Sequence, residues 1–281
     1  MTAVDKVAVA SASGPRNGRF AADSVVVARR NLIRLLRVPD SLIFGILQSV
    51  MFVLLFRFVF GGAIEVPGGG SYVDFLMGGI FAQTVAFTAA TTTIAMAEDL
   101  SRGIIDRFRS LPMSRGAVLA GRTLSDLAFS AITVAAMALT GLLVGWRTNS
   151  SALEILAAFA LLMLFSYAFL WIGAVIGMAA RSPEVAQSAG LIWLFPVTFI
   201  SNVFVPTESM PTWLRTIAEW NPISAVALAL RDLFGNLPEG YDPGSAWPMQ
   251  NPVLASILWC ALLLAIFIPL GISKYRQAAA R

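Results

Sequence analysis

The residues with the most chemistry to offer lie between Glu98 and Arg115, where acids and arginines crowd between two long apolar segments. Leu100, Ile104, Phe108 and Leu111 recur at helical spacing, while Arg102, Asp106 and Arg109 fall on the opposite side. Gly103 allows a turn before this piece, and Pro112 stops it. The pattern describes a short amphipathic helix lying across the mouths of two membrane helices. Its apolar stripe has two places to bury, the membrane mouth or a groove on a partner. The plainer reading is a cytoplasmic loop whose charges are merely solvated.

Catalytic chemistry is hard to assemble from the remaining residues. The chain has no histidine, which removes His-based metal sites and Ser-His-Asp or Cys-His catalysis. Its two lysines, Lys6 and Lys274, lack the Gly-x-x-x-x-Gly-Lys-Ser/Thr context of a phosphate-binding loop. The single cysteine, Cys260, sits in an apolar run and has no second thiol to pair with. No catalytic or metal-ligating residue is assigned, and no ATPase is recognisable on this chain.

The run Glu98-Asp99-Leu100, then Gly103-Ile104-Ile105-Asp106-Arg107-Phe108-Arg109-Ser110-Leu111-Pro112-Met113-Ser114-Arg115, is followed by Ala120-Gly121-Arg122. It resembles the signature loop of type-2 ABC export permeases, nearest to the daunorubicin/doxorubicin-resistance type. The stretch from Phe199 to Pro206, with Met210-Pro211, Trp213-Leu214 and Asn221-Pro222, resembles the same permeases. The likeness runs from about Ala28 to Tyr275. It implies that Glu98, Asp99, Arg102, Gly103, Ile104, Asp106, Arg107, Phe108, Arg109, Leu111 and Pro112 form a coupling helix. That helix would rest on a separate ATP-hydrolysing subunit.

The elements that must position this loop follow from composition. Of 281 residues, 57% are hydrophobic and 13% charged, with a mean hydropathy of +0.76. A soluble domain so apolar could not cover its surface, so the chain reads as an all-α polytopic membrane protein. Six apolar segments each approach the ~20 residues a helix needs to cross the hydrocarbon core. They run roughly 41–60, 75–97, 123–145, 153–179, 185–205 and 252–272. With the N-terminus inside, sixteen of the twenty Lys and Arg residues are cytoplasmic, and only Arg147, Arg215 and Arg231 lie outside. Arg57 sits within the first span near its outer end, where it either marks a substrate path or snorkels outward; snorkelling is favoured. Both termini are then cytoplasmic.

Residues 1–19 are small and polar and read as a disordered tail. The permease domain spans 20–275, and 276–281 is a second cytoplasmic tail. Phe20 to Val38 is basic and amphipathic, with Val25, Ala28, Leu32, Leu35 and Leu36 on one face. It suits the membrane surface as an N-terminal interfacial helix. Small residues recur at Gly78, Ala82, Ala86 and Ala90, at Gly141 and Gly145, and at Gly173 and Gly177. These permit close helix packing within one subunit or, alternatively, a dimer face. Arg122 and Asp126, one turn apart, are placed to pair.

Pro196 should kink the fifth span. Phe195, Phe199 and Asn202 follow at i, i+4 and i+7. That stripe either lines a hydrophobic translocation path, with Asn202 as its polar contact, or packs in the core. Between Thr207 and Asn251 two short apolar pieces meet at Asn221-Pro222. They read as a re-entrant outer hairpin between the fifth and sixth spans rather than a seventh span.

The resemblance implies the transmembrane subunit of an ATP-driven exporter in a bacterial plasma (inner) membrane. Its partners would be an ABC ATPase subunit that binds the ATP and Mg, and a second permease copy, identical or paired. Its substrate would be a hydrophobic or amphipathic drug or antibiotic, or alternatively a lipid or glycolipid. No nucleic-acid partner and no cofactor on this chain are expected. The competing class is a membrane scaffold without transport; an intramembrane enzyme would need more convergent polar groups than Asn202, Gln83 and scattered hydroxyls supply.

Overall fold

Apolar length and a few capping residues decide where each helix begins and ends. The computed structural model describes residues 16–37, 40–60, 71–103, 115–205, 207, 210–238 and 240–278. Helix α1 spans Arg16–Arg37, beginning inside the stretch read as a tail. Helix α2 spans Asp40–Leu55 and runs into a π-helical turn, Phe56–Phe60. Then come α3, Tyr72–Ser101; α4, Arg115–Leu143; α5, Ala152–Ala179; and α6, Pro183–Phe199. Helices α7, Thr212–Glu219, and α8, Pro222–Leu233, precede one turn, α9, Trp247–Gln250. Helix α10, Pro252–Ala278, closes the chain. The fold is all-helical, with no strand among the described residues.

Among the described residues, four helices, α3, α4, α5 and α10, are long and apolar enough to cross a membrane. The first apolar segment forms a shorter apolar helix, Ile43–Val59. The fifth forms the 17 residues of α6, which stop at Phe199 instead of continuing to 205. Pro196 lies in that last turn, and residues 200–205 are irregular.

Helix α3 is the axis of the bundle and packs against α4, α5, α6 and α8. Small residues make those approaches possible. A β-carbon on Gly173 or Gly177 of α5 would run into the carbonyl oxygens of Ala89 or Thr93 on α3. The small-residue pairs therefore serve contacts inside this subunit, as the cost of overpacking demands. Gly145 does not share that role: it takes φ +104°, with nothing within 4 Å of its missing β-carbon.

An aromatic knot closes one end of the bundle. Trp146 and Phe234 meet edge-on at 5.1 Å, and Phe81 and Phe159 complete the cluster. The Trp146 indole N–H donates to Asn236 Oδ1 at 2.8 Å, the partner a buried tryptophan usually finds.

Helix α1 packs along α4 by burying Ser24 and Val27 over Gly121. Val25 and Val26 stay exposed. The apolar residues of α1 are thus divided between a protein contact and a free side.

Candidate functional site

The charged loop that follows the second apolar segment emerges from the C-terminal end of α3 and returns at Arg115. Its centre, Ile104 to Pro112, lies outside the described residues, so Ile104, Asp106, Arg107, Phe108, Arg109 and Leu111 are placed only by sequence. Its departure point is described. The Arg102 N–H donates to the Glu98 carbonyl and the Gly103 N–H to the Leu100 carbonyl, each at 3.0 Å. Gly103 takes φ +63°, the left-handed conformation that ends helices and that glycine alone adopts without strain.

Beneath that turn lies a charge cluster that fastens α3 to α4. Arg122 Nη1 contacts Asp99 Oδ2 at 2.8 Å, and Arg122 Nε reaches both Asp126 oxygens at 3.2 Å. Thr92 donates its hydroxyl to Asp126 at 2.8 Å. The pairing of Arg122 with Asp126 follows their one-turn spacing; the reach to Asp99 depends on how two helices pack. These three charged side chains are only 17–20% exposed. Glu98 and Arg102 pair at 3.3 Å on the open side, 39% and 58% exposed, where an ion pair contributes little.

Arg122→Ala would leave two carboxylates facing each other with no cation. It is expected to lower stability by about 2 kcal/mol, less than a fully buried pair because some solvent reaches the site. Thermal melting of the purified protein measures this. Adding Asp99→Asn should recover part of the loss, since contacting partners are not additive. Additive melting shifts would mean that the cluster is not coupled.

The second candidate region is the aromatic side of α6. Phe195 and Phe199 stack at 5.6 Å, 7° from parallel, and are about half exposed. Phe87 of α3 meets Phe195 edge-on at 5.7 Å. Asn202 is not with them. It lies beyond the end of α6 and is buried. Its N–H donates to Ser224 Oγ at 3.0 Å. The i, i+7 relation fails because the helix ends at Phe199.

Asn202 instead belongs to a polar junction that holds the irregular 200–205 segment against α8. Asn221 caps α8 by accepting from the Ile223 N–H at 2.8 Å. Its own amide donates at 2.6 Å to the carbonyls of Val197 and Ile200 at the end of α6. One side chain thus satisfies two helix ends, which would otherwise leave orphan groups.

Arg231 completes the junction and is wholly buried. By the Lys/Arg distribution alone it is expected to be an outside charge. Its Nε donates to the Phe75 carbonyl at 2.7 Å, and its Nη2 to the carbonyls of Asn202 at 2.8 Å and Val203 at 3.0 Å. The guanidinium carbon lies 3.6 Å from the centre of the Phe75 ring. It forms no ion pair with a described residue. Nothing in the local sequence distinguishes it from a topological marker, because its partners are backbone oxygens.

Comparison with known proteins fits this arrangement. The ABC-2 type transporter family model matches residues 24–234. A daunorubicin resistance ABC transporter permease of Streptomyces coeruleorubidus is 32% identical, over 94% of this chain and 90% of its own. A probable doxorubicin resistance ABC transporter permease of Mycobacterium tuberculosis is 23% identical, over 92% of this chain and 90% of its own. A putative transport permease of Cyanophora paradoxa is 25% identical, over 77% of this chain and 76% of its own. The family match spans the charged loop, the aromatic side of α6 and the Asn221 junction; this chain belongs to the ABC-2 type transporter family and is a multi-pass membrane permease.

Proposed function

We propose that the chain is the transmembrane subunit of an ATP-driven exporter that moves an amphipathic drug or antibiotic out of a bacterial cell. The observation that carries this reading is the extended likeness to a daunorubicin resistance permease, 32% identical over nearly all of both chains. An ABC ATPase subunit supplies hydrolysis and binds ATP and Mg, and a second permease copy completes the path.

In this reading α2 with its π turn, α3, α4, α5, α6 and α10 are six spans, with both termini in the cytoplasm. Helix α1 lies at the inner membrane surface, and α7 with α8 forms the outer hairpin. ATP-driven closure of the motor pushes on the 98–115 loop. Its base is fixed by the Asp99–Arg122–Asp126 cluster, so displacement passes into α3 and α4 together. Phe195 and Phe199, half exposed on α6, then line the path.

Two measurements test this reading. The chain should co-purify with an ATPase subunit whose hydrolysis responds to candidate drugs. With Cys260 replaced by serine, Ser110→Cys should be labelled only from the cytoplasmic side, and Ser245→Cys only from outside. Cytoplasmic labelling of Ser245→Cys would sink the six-span topology; purification without any ATPase would sink the exporter.

A further inference from the structure

A groove of about 320 Å³ runs between α2, α3 and α4, apart from the Phe195/Phe199 face. That volume is at the small end of the range typical of small-molecule sites. Phe44 and Phe52 of α2, Phe87 of α3 and Phe129 of α4 surround it. These rings offer both faces and edges, which suit a flat aromatic guest. Among the described residues, no charged side chain lines it.

The polar groups along its α3 wall are unusual for an apolar helix. Thr88 donates its hydroxyl to the Val85 carbonyl at 2.6 Å, and Thr91 donates to the Thr88 carbonyl at 2.7 Å. Those protons are committed to the helix itself, and Thr88 Oγ1 already accepts from the Ser130 hydroxyl at 3.2 Å, so Thr91, which is exposed, is the hydroxyl that offers a ligand its acceptor lone pairs. Gln83 differs. Its side chain is only 4% exposed, lines the groove, and makes no hydrogen bond with a described residue. Most of the residue is packed away, yet its amide is open to the groove and free to take partners from it. It faces a space large enough for a guest to satisfy both its donor and its acceptor.

We infer that this groove is a binding site for the exported molecule, with Gln83 as its polar anchor. The ligand class follows from the lining: a planar aromatic molecule carrying hydroxyl donors and a carbonyl acceptor. Any charged group on it stays outside the groove, where no counter-charge is required. Phe87 lines the groove and also touches Phe195, so one ring is shared between the groove and the aromatic face of α6. The inference rests on the drug-export reading and adds to it where the substrate is held.

The test uses the intact assembly with its ATPase subunit in lipid nanodiscs, and daunorubicin as the probe. Binding is followed by fluorescence anisotropy, and efflux is measured in cells. Gln83→Leu keeps the shape and removes both hydrogen bonds; it should weaken binding by about threefold to tenfold. Thr91 is exposed, so Thr91→Trp fills the groove without entering the core and should weaken binding by at least as much. Wild-type binding and efflux with unchanged affinity in both variants would overturn the groove while leaving the exporter standing. Absence of both binding and efflux in the wild type would overturn the exporter reading and the groove with it. If Thr91→Trp expels a co-purified phospholipid but leaves daunorubicin affinity unchanged, the groove holds lipid and the inference fails.

Discussion

Arg231→Met is expected to remove most of the folded protein from the membrane. The arginine is wholly buried, and it donates to three carbonyl oxygens from two different segments. Two of those oxygens belong to Asn202 and Val203, in the irregular stretch after α6 where no helix supplies donors. Inside a membrane protein, non-helical backbone survives only where protein groups satisfy it. Methionine matches the volume but donates nothing, so the Asn202 and Val203 carbonyls stay buried and unpaired, while the Phe75 carbonyl keeps its helical partner within α3. Each such oxygen costs roughly 1–3 kcal/mol. Together they represent about 3 kcal/mol or more, a large share of a typical domain's stability.

Replacing a buried ion pair by apolar residues is often harmless because both partners go. Here the partners are backbone and cannot be removed. Arg231→Lys should recover little, since one ammonium cannot span the forked set of acceptors that a guanidinium reaches. Membrane abundance and the melting temperature of the purified protein measure the effect. Arg181→Met, at an exposed position, is the reference and should shift stability by no more than about 0.5 kcal/mol. Equal abundance and melting for Arg231→Met and Arg181→Met would show that the junction does not hold the fold.

The same junction marks where sequence reasoning reaches its limit. Asn221-Pro222 announces a break between two apolar pieces, and α7 and α8 do meet there. Asn–Pro carries that information locally: the side chain caps and the proline opens a helix. Arg231 carries no such local signal. Eight residues before it, from Ile223 to Leu230, are buried without exception, so no polar face reveals which way the arginine turns. Asn202 fails for a related reason. Its grouping with Phe195 and Phe199 assumes a helix through residue 202, yet α6 ends at Phe199, where the Asn221 amide takes the Val197 and Ile200 carbonyls. The Arg122–Asp126 pair is legible because one helix sets its spacing, whereas Asp99 joins it only through the packing of α3 on α4. Gln83 is recognisable as a polar group in an apolar segment, but its isolation beside a groove is a tertiary fact.

Under the proposed exporter function, Gly103→Pro is expected to abolish drug export while leaving the permease bound to an ATPase subunit. The chain leaves α3 through a left-handed turn at Gly103, φ +63°, whose N–H donates to the Leu100 carbonyl. Proline fixes φ near −65° and has no N–H, so the turn can be kept in neither its geometry nor its hydrogen bond. The loop then leaves the helix in another direction, although its docking residues are intact. Gly103→Ala keeps the N–H and meets a left-handed penalty of about 1–2 kcal/mol, so its export should fall between wild type and Gly103→Pro. Phe108→Ala tests the other half of the coupling. If the loop docks as an amphipathic helix in a groove, its aromatic residue is the anchor. Loss of such an anchor typically costs ~2 kcal/mol or more, about thirtyfold in affinity. Phe108→Ala should therefore weaken ATPase association, whereas Gly103→Pro should preserve association and hydrolysis but uncouple them from efflux. Pull-down, ATP hydrolysis and drug efflux on the three variants, at matched membrane abundance, separate these effects. Normal association and normal efflux in both Gly103→Pro and Phe108→Ala would show that motor movement reaches α3 and α4 by another route.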